Sequence, residues 1–282
     1  MAWQTRRTSS VSARPTGTSS RARAGARGPD APGRVQTRPG GVALNVAAGL
    51  AARGLRVSLA AAVGDDAEGR ALAEWLRGAG VSPALLMVYE NVATGRYVAI
   101  ERPDGELLAA VADTLALDSI LPEHLPLNPA PAADAWLIDA NLPAPAIRRL
   151  ACEPGRPLLM ADAASEAKAD RLRPILNQLD VIYCNRAEAE AICATGLNAA
   201  RAAAEALCAR GARRAVVTNG PLPAADAGPH GCVTLRPDPS PIRSVTGAGD
   251  ALIAAHVAAL MTGARPDEAL AAGLAAARAQ AA

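Results

Sequence analysis

Phenylalanine is absent from the 282-residue chain, and three Trp with three Tyr hold the aromatic content to 2%. A core must therefore be assembled from Leu, Val, Ile and Ala, through many small contacts and few large anchors. The same shortage argues against a nucleic-acid partner bound by stacked aromatics. The five cysteines (Cys152, Cys184, Cys193, Cys208 and Cys232) are odd in number and include no C-x-x-C pair. That points away from a disulfide framework and from a zinc site, toward reduced thiols. No apolar run approaches the ~20 residues needed to cross a bilayer, and charges and hydroxyls stand at the N-terminus where a signal peptide would carry its apolar core. The expectation is a soluble, cytoplasmic protein with no membrane partner. Neither a Walker A sequence nor G-x-G-x-x-G occurs, so the two commonest nucleotide fingerprints give no support. What is present, 50% apolar and 20% charged residues, excludes disorder throughout and fits one large domain or two small ones.

A net charge of +2 hides an asymmetry. Residues 1–38 carry eight arginines against Asp30 alone, +7 in all, which leaves −5 for the remainder. Ser, Thr, Pro, Gly and Arg dominate that segment and no hydrophobic period is visible. It reads as a disordered basic tail, with a transit peptide or a nucleic-acid-binding arm as alternatives.

From residue 39 onward short apolar runs alternate with amphipathic stretches, the texture of repeated strand and helix units, and the folded domain is expected over 39–282. Helices are predicted over 41–53, 67–78, 144–151, 166–178, 187–194 and 199–210. Strands are predicted over 57–63, 136–140, 157–163, 181–185 and 214–220. Connections of this length imply parallel strands, with ligands at their carboxyl ends. Residues 85–112 differ: three strand-like runs, two of them separated by the turn chemistry of Pro103-Asp104-Gly105, suggest a small antiparallel flap.

The most informative segment is Ser244-Val245-Thr246-Gly247-Ala248-Gly249-Asp250, followed by an apolar helix that ends at Gly263. Small residues ahead of a helix leave its first N–H groups open, and those donors with the positive end of the dipole suit an anion. Asp250, in the first turn, could accept a proton from a hydroxyl beside them, as phosphoryl transfer requires. On composition alone an ordinary capped helix explains the same residues.

The stretch SVTGAGDALIAAHVAALMTG resembles the C-terminal signature of the PfkB/ribokinase family of small-molecule kinases. GGVALNVAAGLAARGLRVSLAAAVGDDAEGRALAEWLRGAGV, over 40–81, resembles its N-terminal one. Between them, Asn185-Arg186-Ala187-Glu188 is similar to the family's N-x-x-E motif and Val217-Thr218-Asn219-Gly220 to its nucleotide-site strand end. Within the family, residues 94–113, 137–143 and 161–172 look most like the pseudouridine kinases. The resemblance implies an α/β fold of three layers, ribokinase-like, with a mostly parallel central sheet and a small β lid near residues 85–112. It also implies ATP- and Mg²⁺-dependent phosphorylation of a hydroxymethyl group on a sugar or nucleoside, pseudouridine first, with a monovalent cation in many members. Other sugar or nucleoside kinases, or a non-catalytic nucleotide-binding relic, are the alternatives. A homodimer is compatible with an exposed flap.

Carried over residue by residue, the resemblance makes Asp250 the base and the N–H groups of Gly247, Ala248 and Gly249 the anion hole. Gly41, Asn45 and Asn141 would contact the ribose-like substrate. Asn185 and Glu188 would organise Mg²⁺ and phosphates through water, while Thr218, Gly220 and Thr246 would line the ATP side. Each has a plainer reading beside it: Asn45 bonding locally, Asn185 with Glu188 forming a helix cap, Thr218 to Gly220 forming a strand end and turn. Lys168 is read as a solvated helix lysine before a substrate-facing one, and the Asp65-Asp66 pair as a helix start. His124, His230 and His256 are assigned no catalytic role. Three departures stand out. The family's first apolar strand, with its glycine pair and substrate-gripping aspartate, is expected to be missing behind the arginine-rich tail. A frameshifted start or gene decay would each explain that. The chain also stops just after the helix following Pro266, and Ser244 replaces the usual acidic or amide residue near the monovalent-cation site.

Overall fold

The computed structural model describes residues 8–11, 16–24, 33–101, 107–127, 132–239 and 246–282. In chain order the strands are β1 (Thr8–Val11), β2 (Thr16–Ala24), β3 (Gly33–Gly40), β4 (Val57–Gly64), β5 (Val81–Tyr89), β6 (Arg96–Glu101), β7 (Leu107–Asp113), β8 (Ala135–Asp139), β9 (Leu158–Asp162), β10 (Val181–Asn185), β11 (Ala215–Asn219), β12 (Leu222–Gly228) and β13 (Gly231–Leu235). The helices are α1 (Val42–Ala51), α2 (Ala67–Gly78), α3 (Leu115–Asp118), α4 (Ala144–Ala151), α5 (Glu166–Ala169), α6 (Arg186–Cys193), α7 (Ala200–Ala209), α8 (Ala248–Met261) and α9 (Pro266–Ala281). A 3₁₀ stretch, Asp170–Gln178, continues α5 and contains Pro174, whose missing N–H bars a regular α-helix there.

Strands β8 to β11 lie side by side in parallel, and β12 and β13 extend them as an antiparallel hairpin. A second parallel group runs β1-β4-β5, and β1 lies against β8, so the two groups form one layer. The apolar strands need no polar face because helices cover both sides. Trp136, Ile138, Leu159, Ile182 and Val217 point to the cluster containing α4, α6 and α7. Their neighbours Leu137, Met160, Val181, Tyr183 and Val216 point to the cluster containing α1, α2 and α8. The result is the expected three-layer α/β fold, with its site at the carboxyl ends of the strands near the point where the strand order reverses around β1.

Two expectations are corrected. The disordered tail over 1–38 does not hold for its described residues. Thr8–Val11 pairs in parallel with β4, so the central strand thought missing has an occupant, while β2 and β3 pair with each other and β2 with β6. Ladder bonds run through the backbone, so a Ser-, Thr- and Arg-rich strand can complete a sheet while showing no hydrophobic period. The lid is correspondingly different from a flap over 85–112. Leu85 to Tyr89 belong to β5, paired with β4 in the main sheet, and the lid is the four-stranded sheet β3-β2-β6-β7 with one parallel pair. The hairpin β12-β13 was not anticipated. Asp30, the Pro103-Asp104-Gly105 turn and Ser244 lie outside the described residues.

Asp66 ties the lid to the main sheet. It caps α2, accepting from Gly69 N–H at 2.7 Å, and it accepts from the Thr94 hydroxyl and N–H, both at 2.6 Å, just ahead of β6. Thr94 is itself buried and its hydroxyl oxygen accepts from Gly64 N–H at 2.9 Å.

Candidate active site

Helix α8 begins at Gly247, which takes the left-handed conformation (φ 79°) that a side chain would resist. The first-turn N–H groups that follow have no acceptor within the helix, and a Cβ at Gly249 would meet nothing within 4 Å, so the approach to them is open. Asp250 stands in this turn. Its Oδ2 accepts from Asn45 Nδ2 at 2.7 Å, a bond between α8 and α1 across 205 residues of sequence. Its placement follows from helix packing. One turn further along each helix, Gly49 meets Ala254 so closely that a Cβ on Gly49 would lie 2.7 Å from the Ala254 Cβ. The missing side chain lets the two helices approach until Asn45 reaches Asp250. Loss of hydration pushes the Asp250 carboxyl up, the Asn45 bond opposes that, and the nearby Asp139 charge adds to it; the outcome is a pKa of about 6.

Beneath α8 one register row crosses the sheet: Asp139, Asp162, Tyr183, Val216 and Asp226, on β8 through β12. Between this row and the start of α8 lies a cavity of about 180 Å³, lined among others by Asp162, Asn185, Glu188, Thr218, Gly249 and Asp250. Asp162 is ringed by protein on all sides but the cavity. Its desolvation, with the charges of Glu188, Asp250 and Asp139, holds the carboxyl well above the usual range. Asn185 and Glu188 form a reciprocal cap on α6: Glu188 N–H donates to Asn185 Oδ1 at 2.9 Å, and Asn185 N–H donates to Glu188 Oε2 at 2.8 Å. Burial raises the Glu188 carboxyl, the Asn185 N–H lowers it, and Glu166 raises it further, for a net upward shift. The Cys184 thiol, also at the cavity, is pushed up by burial and by Glu188 and Asp162, so it stays protonated and is a poor nucleophile.

Asn141 follows β8. Its N–H donates to Asp139 Oδ1 at 2.8 Å, and its Oδ1 accepts from Lys168 Nζ at 2.8 Å. Turning the amide over would face its NH₂ with the ammonium, so the orientation is fixed. Its Nδ2 is then buried with no hydrogen-bond partner, a donor held ready for an acceptor from outside the chain. Arg171 steadies the same loop by donating to the carbonyls of Ala140, Asn141 and Leu142 at 3.0 to 3.1 Å.

The site residues expected from sequence thus fall into a connected group. Asp250, Gly249, Asn185, Glu188 and Thr218 share the cavity, and Asn45 joins through Asp250. Gly247 and Ala248 open α8, and Gly41, with φ 123°, opens α1 one turn before Asn45. Thr246 is exposed just ahead of the helix, and Gly220, with φ 56°, turns the chain after β11 outside the cavity lining. Sequence reasoning passed over Asp139 and Asp162, and it ranked a solvated Lys168 above the contact that Lys168 makes with Asn141. A signal for the two acids existed: both apolar runs, AWLID and LLMAD, finish on an aspartate at the strand end where parallel sheets bind ligands. Among the described residues no three His, Cys, Asp or Glu gather closely enough to hold a metal by themselves. The carboxylates and amide at the cavity, Asp162, Glu188, Asp250 and Asn185, are oxygen donors of the kind hard cations take.

The pfkB family carbohydrate kinase model matches residues 16–282. A pseudouridine kinase of Escherichia coli is 28% identical over 169 residues, 59% of this chain and 54% of that protein. The chain spans about half the length of the curated relatives it matches. Among solved structures, a carbohydrate kinase from Agrobacterium tumefaciens superposes with a TM-score of 0.84 at 30% identity, over 96% of this chain and 90% of that one. An Arabidopsis thaliana ribokinase complexed with ribose and ATP gives 0.78 at 20% identity, over 99% and 92%. No helix among the described residues is long and apolar enough to cross a membrane.

Proposed function

The chain belongs to the pfkB family of carbohydrate kinases, and from that premise we propose that it moves a phosphoryl group from ATP to a hydroxymethyl group of a nucleoside, with pseudouridine as the acceptor. The observation that carries the kinase reading is Asp250 at the start of α8, bonded to Asn45 and facing the cavity. With Oδ2 engaged by Asn45, Oδ1 is left to take the acceptor's hydroxyl proton. A pKa of about 6 keeps the carboxylate mostly ionised at neutral pH and still basic enough to help. The N–H groups of Gly247 to Gly249 and the dipole of a 14-residue helix stabilise charge on the moving phosphoryl oxygens. Glu188 and Asn185 would hold a hydrated cation, and Thr218 would line the nucleotide side. When bound, Mg²⁺ supplies charge neutralisation on the phosphates. Asn45 and the unclaimed Nδ2 of Asn141 orient the acceptor's hydroxyls and base.

Pseudouridine stands first among acceptors because an E. coli pseudouridine kinase is 28% identical over 169 residues, and because the Asn141 donor suits an oxygen-rich ligand. The test is incubation with ATP, Mg²⁺ and, in parallel, pseudouridine, uridine, adenosine and ribose, followed by mass spectrometry. A gain of one phosphate on pseudouridine is expected. Equal or faster turnover of ribose would reject the substrate assignment and leave the kinase.

A further inference from the structure

We propose that His256 is a positioning residue for this site, fixing α8 over the sheet so that Asp250 keeps its place against Asn45. His256 lies on α8 six residues past Asp250, about 9 Å of helix rise, and it is fully buried. Its ring bridges the two strands flanking β11. Nδ1 meets the Tyr183 hydroxyl on β10 at 3.0 Å, and Nε2 meets Asp226 Oδ2 on β12 at 3.1 Å. Asp226 is already balanced by Arg214, whose Nε donates to Oδ1 at 2.8 Å, so a neutral imidazole fits: Tyr183 donates to Nδ1 and Nε2–H donates to the carboxylate.

Tyr183 and Asp226 stand in the register row that holds Asp139 and Asp162 beneath Asp250. The one helix therefore touches the row at both ends, with a reactive carboxylate at its start and this imidazole further along. The rest of α8 packs through apolar contacts, which carry no direction of their own. Its buried residues are Leu252, Ile253, Val257 and Met261 with Ala254, Ala255 and Ala258, and His256 is the polar one among them. Directional bonds from a buried ring add a preferred rotation and height to that packing, and leaving either partner unpaired in the core is costly. Asp250 is bonded to Asn45 on α1 and lies near enough to Asp139 on β8 and Asp162 on β9 for the charges to be felt. A small displacement of the helix changes every one of those distances.

The inference rests on Asp250 acting as the base, and the experiment has an arm that does not need turnover. His256→Phe keeps a ring and removes both bonds. His256→Gln presents an oxygen acceptor and an N–H donor in the same sense as the neutral imidazole. Both are compared with the natural protein by kcat and KM for ATP and acceptor, and by the ¹³C carboxyl titration of Asp250. His256→Phe is expected to lower kcat ~10- to 100-fold, the cost of a misplaced reacting group, with both KM values little changed. It should move the Asp250 midpoint upward by ~1 unit as the Asn45 bond is lost, and His256→Gln should restore most of both. A folded His256→Phe protein, checked by thermal unfolding, with unchanged kcat and an unchanged midpoint overturns the proposal. Should that variant fail to fold, Tyr183→Phe removes a single bond, and a smaller shift in the same direction is required of it. If the natural protein phosphorylates none of the acceptors, the kinase reading falls while the Asp250 titration still decides the positioning role.

Discussion

Two aspartates at two helix starts show how far surroundings separate identical side chains. Asp66 opens α2 and Asp250 stands in the first turn of α8, both near the positive end of a helix. Around Asp66, partial burial works against ionisation, but the hydroxyl and N–H of Thr94, the N–H of Gly69 and the charge of Arg96 outweigh it, and the carboxyl sits below its ordinary value. Around Asp250, burial meets a single side-chain bond and another carboxylate, and the pKa climbs to about 6. A carboxylate saturated with donors is a poor base and a good anchor; one short of donors is the reverse. The first joins lid to sheet, and the second is the base of the proposed transfer.

The largest test of that contrast is Asp250→Asn, expected to cut kcat ~10²- to 10⁴-fold, the usual contribution of a general base, without lowering the melting temperature. An asparagine at 250 that retains more than a tenth of the natural rate would end the assignment. Smaller in free energy, Asp66→Ala removes a helix cap worth ~1 kcal/mol and leaves the buried Thr94 hydroxyl short of a partner. A loss of roughly 2 to 3 kcal/mol is expected from urea unfolding. An unchanged urea midpoint would show that Asp66 anchors nothing. The gentlest probe is pH. Activity needs Asp250 ionised and so falls as pH drops through about 6. The stability supplied by Asp66 is fully present above its ordinary value of 3.8 and is lost only as pH falls through its lower folded value. Asp250 has the opposite sign: its raised folded pKa makes stability decline as pH climbs from 3.8 to about 6. Rate profiles and circular dichroism on the same samples should thus show activity failing before the fold does. Simultaneous loss would merge the two roles.

Much of the half that holds the cavity was legible in the sequence. Strands β8 to β11 announce themselves as apolar runs between helices, and the open start of α8 is written directly in the small residues Gly247, Ala248 and Gly249. The Asn185 to Glu188 spacing also offered a helix cap, and the pair does cap α6, at the lining of the cavity. The N-terminal strands were not legible. Thr8–Val11 and Thr16–Ala24 are poor in apolar residues, and a strand without an apolar alternation leaves no period to read. Lys168 was misjudged because a helix lysine's surroundings belong to the loop it meets, here Asn141, 27 residues earlier.

Local chemistry, then, was fixed by the sequence alone: where helices start and stop, which faces are apolar, which segment can cradle an oxyanion. Properties that depend on approach between distant segments were decided only by the tertiary structure. Asn45 meets Asp250 because Gly49 lets two helices close on each other. His256 joins Tyr183 and Asp226 because three strands lie in register beneath it. The raised pKa of Asp250 comes from water excluded by the fold and from a carboxylate 111 positions away, Asp139, and neither desolvation nor a charge at that separation leaves a trace in the residues beside it.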